Sequence, residues 1–136
     1  MAIAIDEDHY PVVFVHFQNA TTLEDTEKYL SHFQGWLSKQ DRFGIILHQS
    51  HAEDGNTDEV AEAHRLTVQW AKKNKQQLTE YCAGIALIVE RVEDLAERET
   101  MVPKIIQTVF GCAGQAFGNP AAAELWIQQQ IAKTSL

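Results

Sequence analysis

Short apolar runs alternate along this chain with longer stretches of helical periodicity. Tyr10 to Phe17 (YPVVFVHF) is rich in β-branched and aromatic residues and too short for a free-standing helix, which predicts a strand. Thr21 followed three residues later by Glu24 fits a capping box. Leu23, Leu30, Phe33 and Leu37 then recur at helical spacing beside Tyr29 and Trp36, predicting a helix over about 22–39. Phe43 to His48 (FGIILH) is a second short apolar run, and HQSHAEDGN follows it as a loop.

Beyond that loop, Val60, Ala63, Thr67, Trp70, Ala71 and Leu78 mark one face of a helix over about 57–80. Asn56 and Thr57 are N-cap candidates, and Asp58 and Glu59 suit the positive end of the helix dipole. Cys82 to Val89 (CAGIALIV) is almost wholly apolar, as expected of a strand covered on both faces and central in its sheet. Residues 93–110 read helical, with Pro103 expected to kink or divide them and Gly111 to cap them. A weak strand around Gln115 to Phe117 leads to Asn119 and Pro120, an N-cap with proline at the first helical position. The last helix, over about 120–133, is expected to face inward through Ala123, Trp126, Ile127 and Ile131. The resulting order, β-α-β-α-β-α-β-α, predicts an α/β fold: a mostly parallel four-stranded sheet with packed helices and right-handed crossovers.

Composition narrows the setting. A length of 136 residues suits one domain, 1–136. The formal charge of −8 disfavours phosphate backbones and anionic headgroups, so neither nucleic acid nor a membrane is expected as a partner. No apolar stretch approaches the roughly 18 residues of a bilayer span, and MAIAIDEDHY lacks the basic flank of a secretory signal, so a cytoplasmic protein is expected. Cys82 and Cys112 lack CxxC spacing and read as reduced, buried side chains.

YPVVFVHF, FGIILH, RLTVQWAKKNKQQL running into CAGIALIV, and the closing GNPAAAELWI together resemble the STAS-like families, small domains related to anti-sigma-factor antagonists. The similarity is greatest to the SpoIIAA-like group, whose members often end in an Ala-x-x-Trp-Leu/Ile helix. Here that ending is Ala123, Glu124, Leu125, Trp126 and Ile127. The resemblance spans nearly the whole chain, through core positions, and implies a STAS-like fold and a regulatory, protein-binding role. The best understood relatives are phosphorylated on a serine in an Asp-Ser-Ser-Gly-like motif after the second strand. This sequence departs there, reading Ser50 to Thr57 (SHAEDGNT), so Ser50 and Thr57 correspond by location only.

In an open parallel sheet, ligands bind where loops converge at the carboxyl ends of the strands. That rule singles out His16, His48, Ser50, His51 and Asp54, with His64 one turn after Val60 on the following helix. Histidine and carboxylate suit zinc and related ions, so a metal reading would use His48, His51 and Asp54, supplemented by Glu53 or His16. The H-x-x-H spacing in a loop, however, lacks the fixed geometry of a helical H-E-x-x-H. A catalytic reading would pair His48 or His51 as base with Ser50 as nucleophile, without the Gly-x-Ser-x-Gly elbow. The simpler reading makes Asp54-Gly55-Asn56 turn chemistry and His16 and His64 packing residues, with His48 and His64 meeting if the helix folds back over the strand. Gly111, Gly114 and Gly118 make no phosphate fingerprint, and no cofactor is implied. Two expectations result: a non-enzymatic module binding a protein partner or itself as a homodimer, or a ligand- or metal-binding protein or enzyme built on the His/Asp cluster.

Overall fold

The computed structural model of the chain describes residues 3–17, 23–49, 57–89 and 92–133. Among them, five strands form one sheet: β1 (Ile3–Asp6), β2 (Val12–Phe17), β3 (Phe43–Gln49), β4 (Cys82–Ile88) and β5 (Ala113–Phe117), lying side by side in chain order. The helices are α1 (Leu23–Ser38), α2 (Thr57–Lys73), α3 (Lys75–Tyr81), α4 (Val92–Phe110) and α5 (Pro120–Ala132). β2 to β5 are mutually parallel, and β1 pairs antiparallel with β2, from Ile3↔Phe17 to Asp6↔Phe14.

The α/β class and the parallel β2–β5 block agree with expectation, but the sheet is mixed and has a fifth strand. β1 is only four residues, Ile-Ala-Ile-Asp, and it is held by its ladder to β2 and by Ile5 packing against the core. The second predicted helix is two. At Asn74 the backbone leaves the helical region (φ −111°, ψ 15°), and its side-chain Nδ2 donates to the carbonyl of Trp70 at 2.9 Å beside its own backbone amide, which reaches the same oxygen at 3.1 Å. Conversely, Pro103 does not divide α4, which runs unbroken for 19 residues. Glu99, whose carbonyl loses its donor to the proline ring, is solvent-exposed, where that loss costs least. Gly111 ends this helix at φ +73°, and Asn119 caps α5, its Oδ1 accepting from the amide of Ala122 at 2.8 Å.

Each parallel connection steps one strand further in the same direction, so crossovers of one hand lay their helices on one face. α1 to α4 cover that face and α5 alone packs on the other. The first core centres on Phe33, fully buried, whose ring meets Tyr29, Trp36, Phe43, Trp70 and Phe110 with centroids 4.8–6.2 Å away. The β1–β2 turn is tied to α1 by Glu7, which accepts from the indole Nε1 of Trp36 at 2.9 Å and lies 3.5 Å from His32 Nδ1. On the α5 face, Ala123 and Ile127 are buried and Trp126 and Ile131 partly so, the four positions expected. Among the described residues no helix is long and apolar enough to cross a membrane.

Candidate functional site

Strand register fixes what stands at the carboxyl end of the sheet. Val12, Gly44, Gly84 and Ala113 form one row of cross-strand partners, Asp6, Phe14, Ile46, Ala86 and Gln115 the next, and Ala4, His16, His48, Ile88 and Phe117 the third. All three rows face α5, because side chains alternate between faces along each strand and Val12, Ile46, Ala86 and Ile88 belong to the core beneath that helix.

The first row lets α5 approach. A β-carbon on Gly44 would stand 2.5 Å from Ile127 Cγ2, and one on Gly84 would stand 3.0 Å from Trp126 Cη2, so the helix sits where two adjacent strands carry no side chain. The third row lies four residues further along, about 13 Å at strand rise. Its β4 and β5 members, Ile88 and Phe117, belong to the apolar packing under α5, with Phe117 5.7 Å from the Trp126 ring. Its β2 and β3 members are the histidines.

His16 and His48 are direct partners in the parallel ladder, and their rings stack with centroids 4.4 Å apart and planes within 4°. Both are partly buried. Equivalent side chains on adjacent strands lie about 4.8 Å apart, so the stack follows from placing one residue type at one level of the sheet. Its chemistry is specific. Each imidazole carries two ring nitrogens capable of directional hydrogen bonds, and Nε2 of His48 is itself buried. In that arrangement the in-plane lone pairs run parallel rather than converging, and a shared metal about 2.0–2.1 Å from both would require one ring to turn.

The remaining expected site residues divide. His64 does not join this pair: it is exposed on α2, whose buried Ala71 belongs to the opposite core, whereas His48 points to the α5 face. That exposure also corrects its reading as a packing residue. The α2 stripe instead buries Ala63 and Ala71, and His64 lies just outside it. Ser50, His51, Glu53 and Asp54 lie outside the described residues, as does Thr21 of the expected capping box. Among the described residues no three His, Cys, Asp or Glu side chains group as metal ligands would.

Sequence reasoning passed over Asp25 and Thr26. α1 begins at Leu23, so Asp25 is its third residue, and both side chains are buried, at 5% and 2% exposure, just beyond the carboxyl end of β2. A carboxylate in the first turn is favoured by the helix dipole, and the capping-box spacing had pointed to Glu24, which is exposed. The described edge thus carries a histidine pair on one face of the sheet and a buried Asp-Thr pair at the head of α1. No family model matches the chain, and neither a curated protein nor a solved structure matches it.

Proposed function

We propose that this chain is a STAS-like, SpoIIAA-like module that works by binding another protein, without turning over a substrate, and that it does so through the carboxyl edge of β2 and β3. The observation that supports the reading is the His16–His48 stack, in which each imidazole packs on the other. A stacked, partly buried imidazole pair next to the apolar side chains of Phe14, Ile46 and Ile88 suits the margin of a docking surface, where a few directional polar groups set specificity beside buried apolar area. The formal charge of −8 favours partners with a basic contact face, by steering their approach.

Native mass spectrometry of the chain isolated gently from its own host tests this. A stoichiometric complex with another protein, weakened at least tenfold by His16→Ala or His48→Ala while the thermal midpoint holds, supports it. A monomer with measurable turnover would sink it.

A second reading is favoured by the same juxtaposition. In it His16 and His48 belong to a small-ligand or metal site, for which His51 and Asp54 are candidates by sequence position alone. Titration of the isolated chain with zinc decides: saturable binding lost in His48→Ala favours the site, and heats unchanged by both histidine substitutions exclude it.

A further inference from the structure

Cys82 and Cys112 stand 30 residues apart in the chain, yet their sulfurs are 3.6 Å apart at the amino ends of β4 and β5. Cys82 opens β4 and Cys112 immediately precedes β5. The Gly84↔Ala113 register sets the two cysteines one position out of step. With a strand spacing of about 4.8 Å and a rise of about 3.3 Å, that offset separates the Cα atoms by about 6 Å, within the range a disulfide spans. Both thiols belong to the core under α1 to α4, Cys112 at 6% exposure and Cys82 at 1%. The two thiols are hydrogen-bonded to each other, and Cys82 Sγ also lies 3.8 Å from the Gly84 carbonyl oxygen.

We propose that this pair is a site of oxidative modification, closed to an intramolecular disulfide by a peroxide. Cys112, the less buried, loses its proton and attacks one peroxide oxygen. The O–O bond breaks, the other oxygen leaves as water, and Cys112 becomes a sulfenic acid. Cys82 then loses its proton and attacks Cys112 Sγ, forming S–S and breaking S–O, and the released hydroxide takes up that proton. The two thiols give up two electrons and two protons in all, and one peroxide becomes two waters. The order of attack fits the site. The hydrogen bond with Cys112 and its burial both hold the Cys82 thiol well above the ordinary range, so Cys82 suits the second step, against a sulfur already activated. The bridge would tie β4 to β5 at the base of the connection carrying α4, and a dithiol reductant would reopen it.

The test treats the folded, reduced chain with graded hydrogen peroxide and reads intact mass without reductant. Expected are the loss of two hydrogens, protection of both cysteines from alkylation in denaturant, and a rise in thermal midpoint of about 5 °C or more, all reversed by dithiothreitol. A peptide map of the oxidised wild-type chain should hold the Cys82–Cys112 cross-link, a readout that needs no variant to fold. In Cys82→Ala, dimedone should trap the sulfenic acid on Cys112. A disulfide-linked dimer, sulfinic acid without a bridge, unchanged thiols in the folded chain, or a bridge that forms only in urea would each overturn the proposal.

Discussion

The two faces of the sheet are built by opposite means. On the α1–α4 face, stability comes from volume: Phe33 has ring neighbours from α1, β3, α2 and α4, and the sheet beneath supplies Val13, Val15, Ile45 and Ile85. On the α5 face it comes from missing volume, since Gly44 and Gly84 let one helix settle onto two strands through Ile127 and Trp126. A face covered by several helices tolerates bulky residues at every level. A face covered by one short helix is tightly packed where the helix lies and is left to other chemistry where it does not, and His16 and His48 occupy that remainder.

Removing volume should therefore hurt the first face most, and adding volume the second. Phe33→Ala should cost about 3–5 kcal/mol, the largest effect of this set, because it leaves a cavity bounded by rings from three further elements. Urea unfolding measures it, and a cost below about 1.5 kcal/mol would mean that the ring cluster is not the centre of that core. Gly44→Val should cost about 1–3 kcal/mol through overpacking against Ile127, with part of the loss recovered in Gly44→Val/Ile127→Ala. Full additivity of the two changes in a double-mutant cycle would show that the glycine does not serve the approach of α5.

The third test separates the faces by pH. Tyr29 is wholly buried on the crowded face, and burial, reinforced by the nearby Cys82 and Cys112, raises its phenol far above the ordinary 10.0. Above pH 10 the unfolded chain has then released a phenol proton that the folded chain retains, so the Tyr29 contribution to stability is intact below that pH and falls by about 1.4 kcal/mol per unit as pH rises further, on top of the loss that the raised Cys82 thiol brings from its ordinary 9.0 upward. Tyr29→Phe should flatten the alkaline limb of a stability–pH profile, and an unchanged slope would refute the assignment. The smallest expected effect belongs to the α5 face. Asn119→Ala removes the cap on Ala122 and should cost about 1 kcal/mol, read from the urea midpoint, whereas Asn119→Ser should keep most of it.

How far the sequence spoke for itself depended on range. Periodicity located α1, β3, β4 and α5 to within about two residues, because an amphipathic stripe or a wholly apolar run is a local consequence of where a segment is buried. β1 was missed because a strand of four residues, Ile-Ala-Ile-Asp, gains its character from its partner. The break at Asn74 was missed because the apolar stripe continues through to Leu78 and a single asparagine inside a helical pattern does not announce a change of backbone angle. Of the two outcomes expected at Pro103, a kink or a division, division does not occur, since the carbonyl it orphans belongs to the exposed Glu99. The site was legible only by halves. Each histidine could be placed at a strand end, but only register makes His16 and His48 neighbours and sends His64 to the other side. Asp25 gave a weak signal, an acid in a first turn, and nothing local told it from Glu24. Cys82 and Cys112 gave none, because their meeting depends on the return of α4.

The sheet also keeps its strands in the order in which they occur in the chain. Each new strand pairs with the one made just before it, so the closures needed to build the sheet are short and successive, and none must wait for a distant segment. During synthesis the sheet can grow by accretion at one edge, with α1, α2, α3 and α4 each closing over a seam as it forms. α5 breaks that sequence: made after all five strands, it packs back across β5, β4, β3 and β2 on the uncovered side. Until it docks, the row from Val12 to Ala113 and the apolar Phe14, Ile46 and Ala86 beside it face water. The interval between completing β5 and seating α5 is then when a nascent chain most needs shielding from other chains, and it lengthens with any change that slows the seating of Trp126 and Ile127.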